Sequence, residues 1–154
     1  MEGTWYVTDG FNPYYDCFGC QELSFDFKKG QPVDYNALYN LIAVNGSLIW
    51  NDIKMKGTEE TPGIITMRGR DSGFENVQTW YFMMVEADTS VVYYCGDLES
   101  WHFEGILVMS KTPEFNAARK GQVAVVLAEL GLSYADMCEL DPADDCVGAP
   151  KPFM

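Results

Sequence analysis

A closed antiparallel β-barrel of eight strands with one C-terminal α-helix packed on its wall is the fold class this chain of 154 residues predicts. Three observations predict it. Short apolar runs recur between turn signals along the first two thirds of the chain. The first run opens on Gly3-Thr4-Trp5, a pattern that suits a barrel whose tryptophan plugs one end while the glycine lets the chain pass tightly beneath it. After Ser110 the apolar period lengthens from two to that of a helix.

Taken in order, strands are expected near Trp5–Thr8, Glu22–Lys28, Leu38–Val44, Ser47–Ile53, Gly63–Arg68, Gln78–Glu86, Ser90–Cys95 and Phe103–Ser110. In the second, Leu23, Phe25 and Phe27 alternate with Ser24, Asp26 and Lys28, as a strand with one buried face requires. Turn chemistry fills the gaps: Lys29-Gly30-Gln31-Pro32, Thr61-Pro62-Gly63, Asp71-Ser72-Gly73 and, as the strongest hairpin signal, Asn45-Gly46. Thr112-Pro113-Glu114 reads as an N-cap, a first-turn proline and an acidic first turn. Val123, Val126, Leu127 and Leu130 then follow at helical spacing, and Gly131 ends the helix. Ser133–Asp136 opens a second short helical turn, and the proline-rich tail from Asp141 needs pinning. The whole chain, 1–154, reads as a single domain.

Net charge is −13, from 23 acidic and 10 basic residues, which disfavours nucleic acid and anionic membrane surfaces as partners. Removing that self-repulsion by acidification is expected to favour association. Apolar residues make up 47% of the chain, enough for a sizeable core, and no run of them is long enough to span a bilayer as a helix. No signal-peptide-like apolar segment precedes Gly3, so an exported or imported form would be the mature chain or a fragment. Cysteines stand at 17, 20, 95, 138 and 146. Cys17-x-x-Cys20 has the spacing of half a zinc site or of a redox pair, but a second such pair and a nearby histidine are missing, since His102 is remote. Thioredoxin-like use would need a helix N-terminus. Two disulfides tying the early loop to the C-terminal tail, with Cys95 left free, fit better and imply an oxidising compartment.

The segments Trp5-Tyr6 to Gly10, Asn12-Pro13, Cys20-Gln21, Trp80-Tyr81, Val92-Tyr93-Tyr94 with Gly96, and Trp101 run in order along the chain, followed by the helix and by Cys146, Gly148, Pro150 and Pro152. Together they resemble the lipocalin-type domain of the violaxanthin de-epoxidase family of plants and algae. The resemblance implies a lipocalin-like barrel holding a xanthophyll carotenoid. It implies removal of the epoxide oxygen with ascorbate as co-substrate and no metal, in the acidic thylakoid lumen of the chloroplast. An elongated apolar cavity lined by aromatics suits a polyene, and the chain offers 9 Phe, 9 Tyr and 4 Trp. Opening an epoxide also needs a proton donor beside its oxygen.

The resemblance places the family's key carboxylate two residues before Trp101, at Glu99, where the acid is kept with one methylene added. Gln21, Tyr93 and Trp101 are the implied ligand contacts, although Tyr93 and Tyr94 point to opposite faces of one strand and only one can face the cavity. A tyrosine often found late in the next strand falls at Met109 or Ser110, so that phenol is missing. Cys20 pairs with Cys146 in this reading, and parallel spacing pairs Cys17 with Cys138. Asp16 beside Cys17 reads as turn chemistry. His102 alone titrates near the acidic-to-neutral range in its unperturbed form. The altered acid and phenol positions support an alternative function, a non-catalytic lumenal protein docked on a photosystem or antenna complex; the thylakoid membrane or such complexes are the partners expected beside the xanthophyll. A secreted lipocalin carrying another apolar ligand is a third.

Overall fold

The computed structural model describes residues 1–28 and 31–150. Lys29 and Gly30 of the expected turn, and residues 151–154 with Pro152 of the expected tail motif, lie outside the described residues. The strands are β1 (Gly3–Gly10), β2 (Gln21–Asp26), β3 (Val33–Ile42), β4 (Leu48–Thr61), β5 (Ile64–Asp71), β6 (Phe74–Val85), β7 (Thr89–Leu98) and β8 (Trp101–Ser110). Each pairs antiparallel with the next, and β1 closes the barrel by pairing with both β2 and β8. A ninth two-residue strand, β9 (Cys138–Glu139), adds to the outer edge of β1.

Two strands run further than their apolar patterns suggest. β3 begins at Val33 rather than Leu38, and β4 continues past Ile53 through Lys54, Lys56 and Glu59 to Thr61. The charged positions of β4 face water while Met55 is buried, so half of a polar-looking segment still supplies core. Pairing on both edges, to β3 and to β5, holds that segment extended.

The barrel interior has two halves. At the closed end Trp5 is fully buried, its indole N–H donating to the Met1 carbonyl at 2.7 Å while the Lys111 ammonium lies 4.3 Å from its ring centroid. Above it Trp80 packs edge to face on Phe25 and Tyr35 at centroid distances of 5.9 and 5.3 Å, Phe25 and Tyr35 meet tilted at 5.2 Å, and Met67 and Met109 fill the remaining volume. The other half, toward the β1–β2, β3–β4, β5–β6 and β7–β8 connections, stays partly open.

The helix begins later than expected. Thr112 and Glu114 lie in a bend in which the Thr112 hydroxyl donates to the Glu114 carbonyl, and Asn116 is the N-cap, its side chain accepting from the Ala118 N–H. A 3₁₀ turn, Ala117–Arg119, leads into α1 (Lys120–Glu129). Asn116 wins the cap because its amide also reaches the Asp88 carboxylate at 2.7 Å, tying the helix start to the β6–β7 turn. The helix ends as its sequence predicts, with Gly131 N–H on the Ala128 carbonyl and Leu132 N–H on that of Leu127. Val123 and Leu127 bury completely against Val91, Ile106 and Val108 on the outer wall, each contributing about 1.5–3 kcal/mol.

The expected turn at Ser133–Asp136 carries a full capping box. A last short helix, α2 (Pro142–Asp145), precedes Cys146. Both disulfides form as expected, Cys17–Cys138 and Cys20–Cys146, and Cys95 is free and half-buried. The pairing consumes the thiols a zinc site or a redox dithiol would use. Among the described residues no helix is long and apolar enough to cross a membrane.

Candidate functional site

The open half of the barrel holds a cavity of about 230 Å³. Its floor is the aromatic layer of Tyr35 and Trp80, its walls include Leu23, Ala37, Phe103 and Leu107, and Leu41, Leu98 and Asp71 stand at its mouth. Tyr14, Tyr15 and Phe18 of the β1–β2 loop close over one side, and Phe18 stacks on Tyr39 at 4.9 Å. That loop is long and turn-rich, and the Cys17–Cys138 and Cys20–Cys146 bridges fix both its middle and its end.

Polar groups enter this apolar space from three directions. On β6, Asn76, Gln78 and Trp80 occupy alternate positions and therefore share the inward face. The Gln78 carbonyl accepts from the Trp80 indole at 2.8 Å, and its amide donates to Asn76 at 3.1 Å. Gln21 at the start of β2 is buried and its amide donates to the Asp16 backbone carbonyl. From β7, Tyr94 lines the cavity and its hydroxyl donates to the Asp16 carboxylate.

Asp16 is wholly buried behind Tyr94. Besides that hydroxyl, its carboxylate accepts the backbone N–H groups of Asn12 at 2.8 Å, Ile106 at 3.1 Å and Phe11 at 3.2 Å. Burial pushes the carboxyl up from 3.8 to about 6, against the opposing pull of the donors, with the Tyr94 hydroxyl first among them. Burial, with the Asp16 charge beside it, holds the Tyr94 phenol well above its ordinary value. Burial also pushes Tyr39 up to about 12.

The backbone makes room for this group. A Cβ on Gly105 would lie 2.6 Å from both Asp16 Oδ1 and Tyr94 Cε1, and one on Gly10 would lie 2.6 Å from the Asp16 carbonyl oxygen. Glycine at 10 and 105 is thus what lets the carboxyl lie flat against β1 and β8. Chemically, the arrangement is a carboxyl able to hold a proton at mildly acidic pH, linked through one phenol to an apolar cavity.

Of the residues expected from sequence, Gln21 lies at this cavity. Glu99, Trp101 and Tyr93 do not. Glu99 occupies the two-residue β7–β8 turn at φ 55°, exposed, with its N–H on the Glu75 carbonyl. Trp101, just beyond that turn, is 69% exposed. Tyr93 faces outward and donates to Glu104 at 2.7 Å, because strand alternation turns Tyr94 inward instead. His102 pairs with Asp97 at 3.0 Å on the exposed face of the same hairpin. Met109 and Ser110 are buried, Met109 in the aromatic half, so the phenol at the cavity comes from β7 rather than from late β8.

Asn76 and Gln78 are site residues that sequence reasoning passes over, and it names Asp16 only as turn chemistry and Tyr94 only as the alternative to Tyr93. Two signals pointed to them. Asn76, Gln78 and Trp80 hold alternate positions of one strand, and Asp16 directly precedes a cysteine that must be pinned.

Comparison with known proteins agrees with this architecture. A family model described as the VDE lipocalin domain matches residues 1–142. No curated protein matches the chain by sequence. Among solved structures, the amine-binding protein of Rhodnius prolixus in its tryptamine complex superposes with a TM-score of 0.70 at 16% identity, covering 90% of this chain and 77% of that one. A biogenic amine-binding protein gives 0.69 at 15%, covering 97% and 81%. Lobster apocrustacyanin A1 gives 0.64 at 15%, covering 90% and 76%. At these identities the likeness is one of fold, a lipocalin barrel.

Proposed function

The chain belongs to the VDE lipocalin domain family, the violaxanthin de-epoxidase family, and from that premise we propose that it binds a xanthophyll by one end ring and reduces the ring's epoxide. The observation that carries the reading is the contact of Tyr94, a cavity residue, with the buried Asp16 carboxyl. A protonated Asp16 can pass its proton through the Tyr94 hydroxyl to an epoxide oxygen held in the cavity. The Gln21 and Gln78 amides can hold that oxygen in place, and the aromatic floor excludes water from the opening C–O bond. In the overall reaction epoxide and ascorbate give alkene, dehydroascorbate and water; ascorbate is a substrate that supplies two electrons and two protons. With the carboxyl raised to about 6, Asp16 is half protonated near pH 6, approaches full proton supply as pH falls below that, and loses it above. An acidic thylakoid lumen in a chloroplast suits that range, and an oxidising lumen suits the two disulfides.

The cavity size supports binding by one ring. At about 230 Å³ it falls below the ~300–1,000 Å³ of sites that enclose whole drug-sized ligands. The polyene therefore runs out through the mouth. A larger depression of about 720 Å³ has Asp34, Lys54, Lys56 and Arg68 in its walls. Its Lys56–Asp34 pair is exposed and solvated, so it is the poorer match for an apolar ligand.

The test is incubation of the purified protein with violaxanthin, galactolipid and ascorbate at acidic pH. Zeaxanthin is expected, with Tyr94→Phe slowed by about 10²-fold or more. Absence of both product and bound xanthophyll would overturn the reading. The small cavity also favours a second one, a non-catalytic lumenal protein docked on a photosystem or antenna complex. Bound xanthophyll without turnover, with co-migration on such a complex, would select it.

A further inference from the structure

We propose that a cleft on the outer wall of the barrel, between β1, β9 and the start of α1, binds a primary ammonium carried on a small apolar body. The cleft measures about 690 Å³, within the ~300–1,000 Å³ of small-molecule sites, and shares no lining residue with the cavity inside the barrel. An irregularity in β1 builds its acidic wall. The pairing of β1 with β8 slips between Val7 and Asp9, leaving Thr8 as an extra residue. Such a bulge re-aims the side chain that follows it. Val7 points into the barrel, yet Asp9 stands across from Val108, which packs under the helix on the outer wall.

Two polar groups at this cleft are left without adequate partners. Asp9 is 7% exposed, and its carboxylate accepts one hydrogen bond, from the neighbouring Thr8 hydroxyl at 3.0 Å. No ion pair among the described residues includes Asp9. β9 sets Glu139 directly opposite it, a like-charge pairing that costs stability in a ladder. Burial pushes the Asp9 carboxyl up and Glu139 adds to the push, while Thr8 and Lys120 oppose it. A buried charge is ordinarily paired, and this one is open to a cation. The second group is the Tyr134 hydroxyl, whose oxygen is wholly buried with no hydrogen-bond partner among the described residues. Burial first, and the Asp9 charge second, raise its phenol above the ordinary value, so the two groups address one space.

The rest of the lining selects the ligand. Glu114, Glu139 and Asp141 add three carboxylates, and Lys120 is the single cation of the lining, its ammonium 5.0 Å from the Tyr134 ring centroid. A lining of net negative charge refuses an anion. A bare metal ion is also a poor match, because these carboxylates do not converge. Among the described residues, Cys, His, Asp and Glu ligand atoms converge only at Cys20, Glu22 and Cys146, elsewhere in the molecule. Phe115, Met137 and Leu140 place apolar surface beside the carboxylates. An ammonium donating to Asp9 and to the Tyr134 oxygen, with its apolar body against Phe115, uses all of these groups. The face of the Tyr134 ring attracts the same charge.

The experiment is calorimetric titration of the full chain with phenethylamine, and with phenylacetate as a similar ring carrying the opposite charge. Phenethylamine is expected to bind and phenylacetate is not. Backbone amide NMR should show the amine shifting Asp9, Tyr134 and Glu139 rather than Gln78 and Tyr94. Asp9→Asn should weaken the amine by about tenfold or more, the loss of a charge-assisted hydrogen bond. Glu139→Gln, at an exposed position, should weaken it by about two- to fivefold. Lys120→Gln should strengthen it by a similar factor, because it removes a competing cation. Should Asp9→Asn fail to fold, the opposite signs at Glu139 and Lys120 decide the matter, since a merely structural cleft would not produce them. Absence of phenethylamine binding, equal binding of phenylacetate, amide shifts confined to Gln78 and Tyr94, wild-type affinity in a folded Asp9→Asn, or a weaker amine in Lys120→Gln would overturn the proposal. Xanthophyll binding inside the barrel stands or falls separately from every one of these outcomes.

Discussion

The two halves of the barrel are built from the same eight strands and the same alternation, yet they bury different chemistry. The closed half is filled by Trp5, Phe25, Met67 and Met109, with the Trp5 indole as its main polar handle. The open half buries Asp16, Gln21, Asn76, Gln78 and Tyr94 around empty space. The first arrangement gains stability from area removed from water, and the second holds polar groups that must each be bonded to stay there. The difference teaches where to look for function: the packed end makes the fold, and the polar end buries a carboxyl beside a cavity.

The largest effect should come from the staples that hold the polar end together. Replacing Cys17, Cys20, Cys138 and Cys146 with alanine opens both bridges and with them a loop of more than a hundred residues, a loss of roughly 5 kcal/mol or more in the chain-entropy view. Denaturant melts should show it, and the same variant should lose xanthophyll binding, because the β1–β2 loop carries Asp16. Retained affinity would separate the loop from the site.

Trp5→Ala sharpens the comparison from the other side. It should lower stability by about 3–5 kcal/mol while leaving ligand affinity close to wild type. Gln78→Leu should shift the balance the other way, changing affinity more than Trp5→Ala does and costing less stability, about 1–3 kcal/mol, because the buried Trp80 indole N–H loses its acceptor. Equal ligand effects from the two variants would erase the division between the halves.

Asp16→Asn tests the proton. The folded pKa of Asp16 lies above its ordinary value, so its contribution to stability is full below about pH 4 and is lost as pH rises through about 6. The stability of the Asn variant relative to wild type should therefore climb by up to about 3 kcal/mol between about pH 4 and pH 7. A pH-independent difference would show that Asp16 titrates in the ordinary carboxylate range. Gly105→Ala comes next, at roughly 1–3 kcal/mol, because its methyl group needs the space of the Asp16 carboxyl and the Tyr94 ring. Carboxyl NMR of that variant should show the Asp16 titration displaced.

Most of the barrel was legible because its signals are local. Alternation in Leu23 and Phe25, the Asn45-Gly46 turn and the Val123–Leu130 stripe each identify an element from neighbouring residues alone. β4 beyond Ile53 was not legible, because Lys54, Lys56 and Glu59 look soluble until both neighbouring strands are seen to pair with them. The helix start was misplaced for a similar reason, since Asn116 caps it with help from Asp88, 28 residues away in sequence.

The site was less legible than the fold. Gln21 was found through the family resemblance, which matched the Cys20-Gln21 pair. Asp16 looked like turn chemistry because its burial depends on Ile106 and Tyr94, 90 and 78 residues downstream. The family resemblance placed the key carboxylate at Glu99, two residues before Trp101, but those residues flank a hairpin turn that leaves both side chains exposed. Tyr93 and Tyr94 could be ranked only once the register of β7 was known.

The account's central claim is that the chemistry resides at Asp16 and Tyr94 rather than at Glu99 and Trp101. The most direct measurement is fluorescence-quench titration of violaxanthin against wild type, Tyr94→Phe and Glu99→Gln. The account predicts that Tyr94→Phe weakens binding by about tenfold, one lost hydrogen bond to a buried oxygen, while Glu99→Gln binds as wild type does. Weakened binding in Glu99→Gln with wild-type affinity in Tyr94→Phe would contradict it.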